Sequence, residues 1–113
     1  MPDPALPMLV FFYSERSGPA RRMESLLAHV AHKERGRLRV RRVNADEHPR
    51  LVRKFSVDQI PTLVFVNDHK AVDRIDGRAS MPQIEQLLER NLEVAVVYQG
   101  EIRIGSTAVD RLG

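Results

Sequence analysis

The apolar positions of this chain alternate between short dense runs and stripes spaced three and four residues apart, the two rhythms of strand and helix. Met8 to Tyr13 is an unbroken β-prone run, as expected of a strand buried on both faces. Behind it, Ser17 stands at a helix N-cap with Pro19 just inside, and Met23, Leu26, Leu27, Val30 and Ala31 recur at i, i+3, i+4, i+7 and i+8. This stripe predicts an amphipathic helix that ends near Gly36. Leu38 to Asn44 reads as a second strand, and strand, helix and strand together make a right-handed βαβ unit with parallel strands.

Pro49 opens a short helix carrying Leu51, Val52 and Phe55, and Val57 to Ile60 leads through Pro61 into the apolar run Thr62 to Asn67. The polar segment Asn67 to Lys70 is a turn; Ala71 to Ile75 then pairs antiparallel with the preceding strand, and Gly77 breaks the chain. Ser80 and Gln83 form a Ser-x-x-Gln capping box around Pro82, and Ile84, Leu87, Leu88 and Leu92 supply the buried stripe of the last helix. The order β-α-β-α-β-β-α defines an α/β domain over residues 1–92, a mixed sheet flanked by helices. In residues 93–113, Val94 to Tyr98, Gln99-Gly100 and Glu101 to Gly105 read as strand, turn and strand. Such a C-terminal hairpin needs to pack on the domain or on a partner subunit. Continuation of the last helix into a loose tail is the other reading.

A chain of 113 residues that is 42% hydrophobic can bury a core as one domain without disulfides or metals. No apolar run reaches the roughly 18 residues of a bilayer span. The start of the chain lacks the basic region and long apolar stretch of a signal peptide, so a cytoplasmic protein with no membrane partner is expected. The absence of cysteine excludes a disulfide framework and a thiolate metal site. His29 and His32 lie three apart on the first helix, but no third ligand joins them and His48 and His69 fall on separate loops; neither metal nor other cofactor is expected. The formal charge is +3, carried mostly by 15 Arg against 3 Lys. Arg35, Arg37, Arg39, Arg41 and Arg42 form a basic stretch, with Arg37, Arg39 and Arg41 on one side of a strand. No stacking aromatic is interleaved with them, so protection of a sheet edge is preferred over a nucleic-acid surface.

The segments Arg16-Ser17-Gly18-Pro19-Ala20, Asn44-Ala45-Asp46 and Ile60-Pro61-Thr62, with the hairpin and Gly77 behind them, follow the order and spacing of the thioredoxin family. The chain resembles that family over about residues 6 to 92. Where the family reads Trp-Cys-Gly-Pro-Cys, Ser17 and Ala20 occupy the two redox positions. Disulfide exchange needs an attacking thiolate and a resolving thiol, and neither residue supplies one. The resemblance also implies a cis peptide before Pro61, packed beside the Ser17 loop; a trans proline opening a strand is the plainer alternative. Phe11 stands at the family's buried proton-accepting carboxylate and Arg16 at its flat Trp. Arg42, where the family often has a Lys near that carboxylate, has lost its partner. These joint departures point to natural loss of redox function rather than replacement of the thiols alone. Glutathione transferases share the fold and place a Ser, Cys or Tyr at this helix end, for which Ser17, Tyr13 or Ser14 would serve. They also need a large helical domain and a Glu-Ser pair after the proline, and neither is found here.

What survives the loss of thiols is a binding surface. The resemblance implies that the backbone of Ile60 pairs with an extended substrate segment. Around it would gather Arg16, Ser17, Gly18, Pro19, Pro61, Gly77 and Arg78, whose two arginines favour an acidic or carboxylate-bearing segment. The expected protein is a redox-inactive, thioredoxin-like module that binds a protein or peptide partner and carries no catalytic residue. The alternative is a thiol-disulfide oxidoreductase whose two cysteines are replaced by Ser17 and Ala20. It is expected as a monomer, or as a homodimer through residues 93–113.

Overall fold

A computed structural model describes residues 6–99, with side chains described as far as residue 92. The elements run β1 (Met8–Tyr13), α1 (Gly18–Lys33), β2 (Arg39–Asn44), α2 (Pro49–Lys54), β3 (Thr62–Asn67), β4 (Lys70–Asp76) and α3 (Met81–Gln99). The strands form one sheet in the order β2-β1-β3-β4. β1 is parallel to β2, while β3 is antiparallel to both β1 and β4. The two most apolar runs fill the central places, where neither face reaches water. The charged strands, with Arg39 and Arg41 on β2 and Lys70 and Asp73 on β4, form the edges.

Alternation along the central strands divides the core between the two sheet faces. Val10 and Phe12 of β1 and Val64 of β3 join Val43 and Val57 in one cluster, against which Leu51, Val52, Phe55 and Ile60 pack. The short helix α2 has no fully buried residue, yet it covers this face with half-buried ones. Leu9, Phe11, Leu63 and Phe65 point to the other face and are fully buried. Each large side chain buried in this way contributes about 1.5–3 kcal/mol. The buried stripe of α1, Ala20, Met23, Leu27 and Val30, is the one its helical spacing predicts.

Local chemistry sets the ends of these elements. Beyond α1, Gly36 adopts φ +90°, and the amides of Arg37 and Leu38 both donate to the Glu34 carbonyl before β2 begins. Asp68 and His69 both have positive φ and join β3 to β4 in a two-residue turn. The β3–β4 register shifts between Phe65 and Val66, which leaves Val72 as the extra residue of β4, half-exposed. From β4, the Arg74 guanidinium donates to the carbonyls of Phe55 (2.7 Å) and Ser56 (3.1 Å) at the end of α2.

The chain divides after Met81 into two compact units. In the second, Ile84, Leu87, Leu88 and Leu92 are buried along one stripe of α3, and Asn91 Nδ2 donates to the Leu87 carbonyl. The helix continues to Gln99, so Val94–Tyr98 is helical and is not the first strand of a hairpin. No glycine or proline interrupts the segment between Pro82 in the first turn and Gly100. Ala95 also continues the spacing of Leu88 and Leu92, so helical propagation prevails over local β propensity. The expected second strand, Glu101 to Gly105, lies outside the described residues.

Candidate functional site

Strand register brings the motif segments to one end of the sheet. Phe12 lies opposite Thr62, so the loop after β1 and the Ile60-Pro61 segment before β3 share that end. Tyr13 lies opposite Asn44, which adds the Asn44-Ala45-Asp46 turn. Thr62 lies opposite Asp76, which adds Gly77 and Arg78. Four segments distant in sequence therefore meet where the strands of the first unit stop or start.

Asp46 organises the loop after β1. Its amide is accepted by Asn44 Oδ1 at 3.0 Å, an Asx turn that aims its carboxylate back across the neighbouring strand. That carboxylate accepts from Ser14 Oγ at 2.8 Å and lies 3.4 Å from Arg16 Nη2. Ser14 Oγ in turn accepts the Arg16 amide at 3.2 Å, and the Ser14 carbonyl accepts the Ser17 amide. Ser14 is buried, whereas the Arg16 side chain is 85% exposed. The pair thus steers the guanidinium more than it stabilises the fold, since exposed ion pairs contribute only about 0.2–1 kcal/mol.

Ser17 is engaged as an N-cap. Its Oγ accepts the Ala20 amide at 3.2 Å, with Ser17 itself in extended conformation. Ala20, at the second redox position, is fully buried. Ser14 Oγ is committed to Asp46, and the Tyr13 ring stacks on Phe11 at 5.8 Å. The Ile60–Pro61 peptide bond is cis. Pro61 is buried and its carbonyl accepts the Gly77 amide at 2.8 Å, while Thr62 Oγ1 donates to the Gln59 carbonyl at 2.7 Å. Gly77 has φ +89°, a conformation that calls for glycine, while a Cβ there would meet only the movable end of the exposed Gln59 side chain, 3.0 Å from its Oε1. Ile60 is half-buried and Arg78 exposed. Among the described residues no hydrogen bond or ion pair joins Arg16–Pro19 to Ile60 or Pro61; shared register alone brings them to this end.

Arg42 departs from expectation. It has partners: its Nη2 lies 2.8 Å from Glu24 Oε2 of α1, and its guanidinium sits 4.7 Å from the centre of the Tyr13 ring. The hydrogen bond to Glu24 holds the Arg42 pKa above its usual value, against the opposing effect of burial. Phe11, in register with Arg42, is fully buried. A helix residue 18 positions away thus supplies the negative charge that the strand lacks. Sequence reading missed Glu24 and Asp46 because both pairings are tertiary. The Asn44-x-Asp46 turn beside a parallel strand end was the available signal for Asp46.

Chemically, this end offers backbone groups, two exposed arginines and a capped hydroxyl, with neither thiol nor buried carboxylate. Among the described residues no three His, Asp or Glu side chains gather to hold a metal, and no helix is long and apolar enough to cross a membrane.

The model of the family described as Thioredoxin matches residues 2–90. Thioredoxin 1 of Nostoc is 30% identical over 90 residues, covering 80% of this chain and 84% of that protein. Thioredoxin Y1 of Arabidopsis thaliana, chloroplastic by name, is 26% identical over 88 residues; they cover 78% of this chain but only 51% of that protein. The compartment therefore does not follow from kinship. The X-ray structure of Fasciola hepatica thioredoxin aligns with a TM-score of 0.70 at 27% identity, covering 75% of this chain and 80% of that one. Fold and family match agree, and the chain belongs to the thioredoxin family.

Proposed function

We propose that the chain is a redox-inactive binding protein, which holds an extended acidic segment of a protein partner at the sheet end carrying Arg16–Pro19, Ile60–Pro61 and Gly77–Arg78. One observation carries the reading: the bonds that frame this end are made although the chain has no cysteine. Ser17 still caps α1, Asp46 still ties the loop, and Pro61 still accepts from Gly77. The exposed Arg16 and Arg78 give the end a positive rim, suited to carboxylates. A second reading, an oxidoreductase whose cysteines are replaced, is favoured by the relatives' names. The buried Phe11 opposes it, because replacing thiols alone leaves the proton-accepting carboxylate in place.

Fluorescence anisotropy with a labelled glutamate-rich peptide tests the proposal. The double variant Arg16→Glu, Arg78→Glu is expected to weaken binding about tenfold, with the effect shrinking at high salt. Equal affinity of variant and parent would remove this end as the binding site.

A further inference from the structure

A second surface lies away from that sheet end, along the outer edge of β2. We propose that this edge docks an extended segment of a partner protein in which acidic and apolar residues alternate, added to the sheet as a further strand. The backbone supplies the first argument. Among the described strands, β2 has a neighbour on one side only. The Arg39 amide donates inward to the Pro7 carbonyl at 2.9 Å. In a parallel ladder every second residue turns both of its polar groups to the same neighbour. Arg41 and Val43 therefore follow Arg39 inward, and the amides and carbonyls of Val40 and Arg42 face outward. That row is a template for one more strand.

Side chains make the template selective. On the α1 face, Val40 and Arg42 border a cavity of about 320 Å³, whose other walls are Phe11, Leu27, Ala28 and Ala31, with Glu24 at Arg42. It opens beside the strand edge, where alternate side chains of an added strand would fall, and its lining asks for apolar ones. On the opposite face stand Arg39 and Arg41, both exposed and neither in an ion pair among the described residues. Residues of the added strand on that face would meet two unneutralised cations. Apolar on one face and acidic on the other is the pattern this edge complements.

Other occupants fit less well. A second copy pairing β2 with β2 would set arginines against arginines on one face, and like charges across strands are destabilising. A nucleic acid would satisfy the arginines, but it would leave the cavity empty and turn phosphates toward the outward carbonyls of Val40 and Arg42. The edge proposal stands independently of the sheet-end reading, since the two use different residues.

The test is titration of the isotope-labelled full chain with a peptide of alternating glutamate and leucine, followed by amide NMR and by anisotropy. The expected result is slowed exchange of the Val40 and Arg42 amides. Affinity should fall about tenfold in Arg39→Glu, Arg41→Glu and also fall in Ala28→Phe, which fills the cavity. Arg50→Glu, an exposed charge reversal in the first turn of α2 that belongs to neither surface, should leave it unchanged. Circular dichroism checks that each variant folds. Four results would each overturn the proposal: slow exchange of Val40 and Arg42 in the free chain, equal binding of a peptide with its glutamates and leucines in separate blocks, tighter binding of an oligonucleotide than of the peptide, or pairing of the chain with itself through β2.

Discussion

His69 sits at φ +67°, directly after Asp68 at +55°, in the turn between β3 and β4. A turn with both central residues left-handed matches the twist of a hairpin, but a side chain at the second position pays a steric penalty that glycine avoids. His69→Gly is expected to raise stability by about 1 kcal/mol, visible as a higher urea midpoint at unchanged slope. No movement of the midpoint would mean that the turn holds no relievable strain. At this scale the sequence was legible where a residue acts on its neighbours. Ser17 could be read as a cap because its acceptor role spans one helical turn. Asp46 could not be read as the partner of Arg16, 30 positions away, and Arg42 was expected to be unpartnered because its cation finds Glu24 only after α1 has packed on the sheet.

Elements show the same division. β1, α1 and β3 fall close to where the periodicity puts them, because central strands and an amphipathic helix write their burial directly into the apolar pattern. The end of α3 was misread: Val94, Val96 and Tyr98 have strand propensity, but a helix already nucleated and free of breakers continues through them. Arg74 shows how elements are tied without any such pattern. Its guanidinium takes the carbonyls of Phe55 and Ser56, just past α2, and so fixes the segment that leads to Val57 and Pro61. Arg74→Ala is expected to lower stability by about 1–2 kcal/mol, and hydrogen exchange should accelerate first in α2. Uniform acceleration across β1 and β3 would instead mark Arg74 as a support of the whole sheet.

For the whole molecule, the fold and the meeting of four segments at one sheet end followed from motif order, whereas the proposed ligand preferences rest on charges whose surroundings only packing reveals. The fully buried Ala20 adds a practical consequence to this arrangement. A thiol installed by Ser17→Cys alone would attack a disulfide in a bound protein, forming one new sulfur–sulfur bond and expelling the other half as thiolate. With a methyl group sealed in the second position, nothing in this chain would then release the captured protein. Non-reducing electrophoresis is expected to show such adducts with a disulfide-bearing peptide, persisting until an external thiol is added; their spontaneous decay would show that release needs no second thiol. A single oxygen-to-sulfur exchange would thus let this surface retain covalently any disulfide-bearing protein that the proposed binding brings to it.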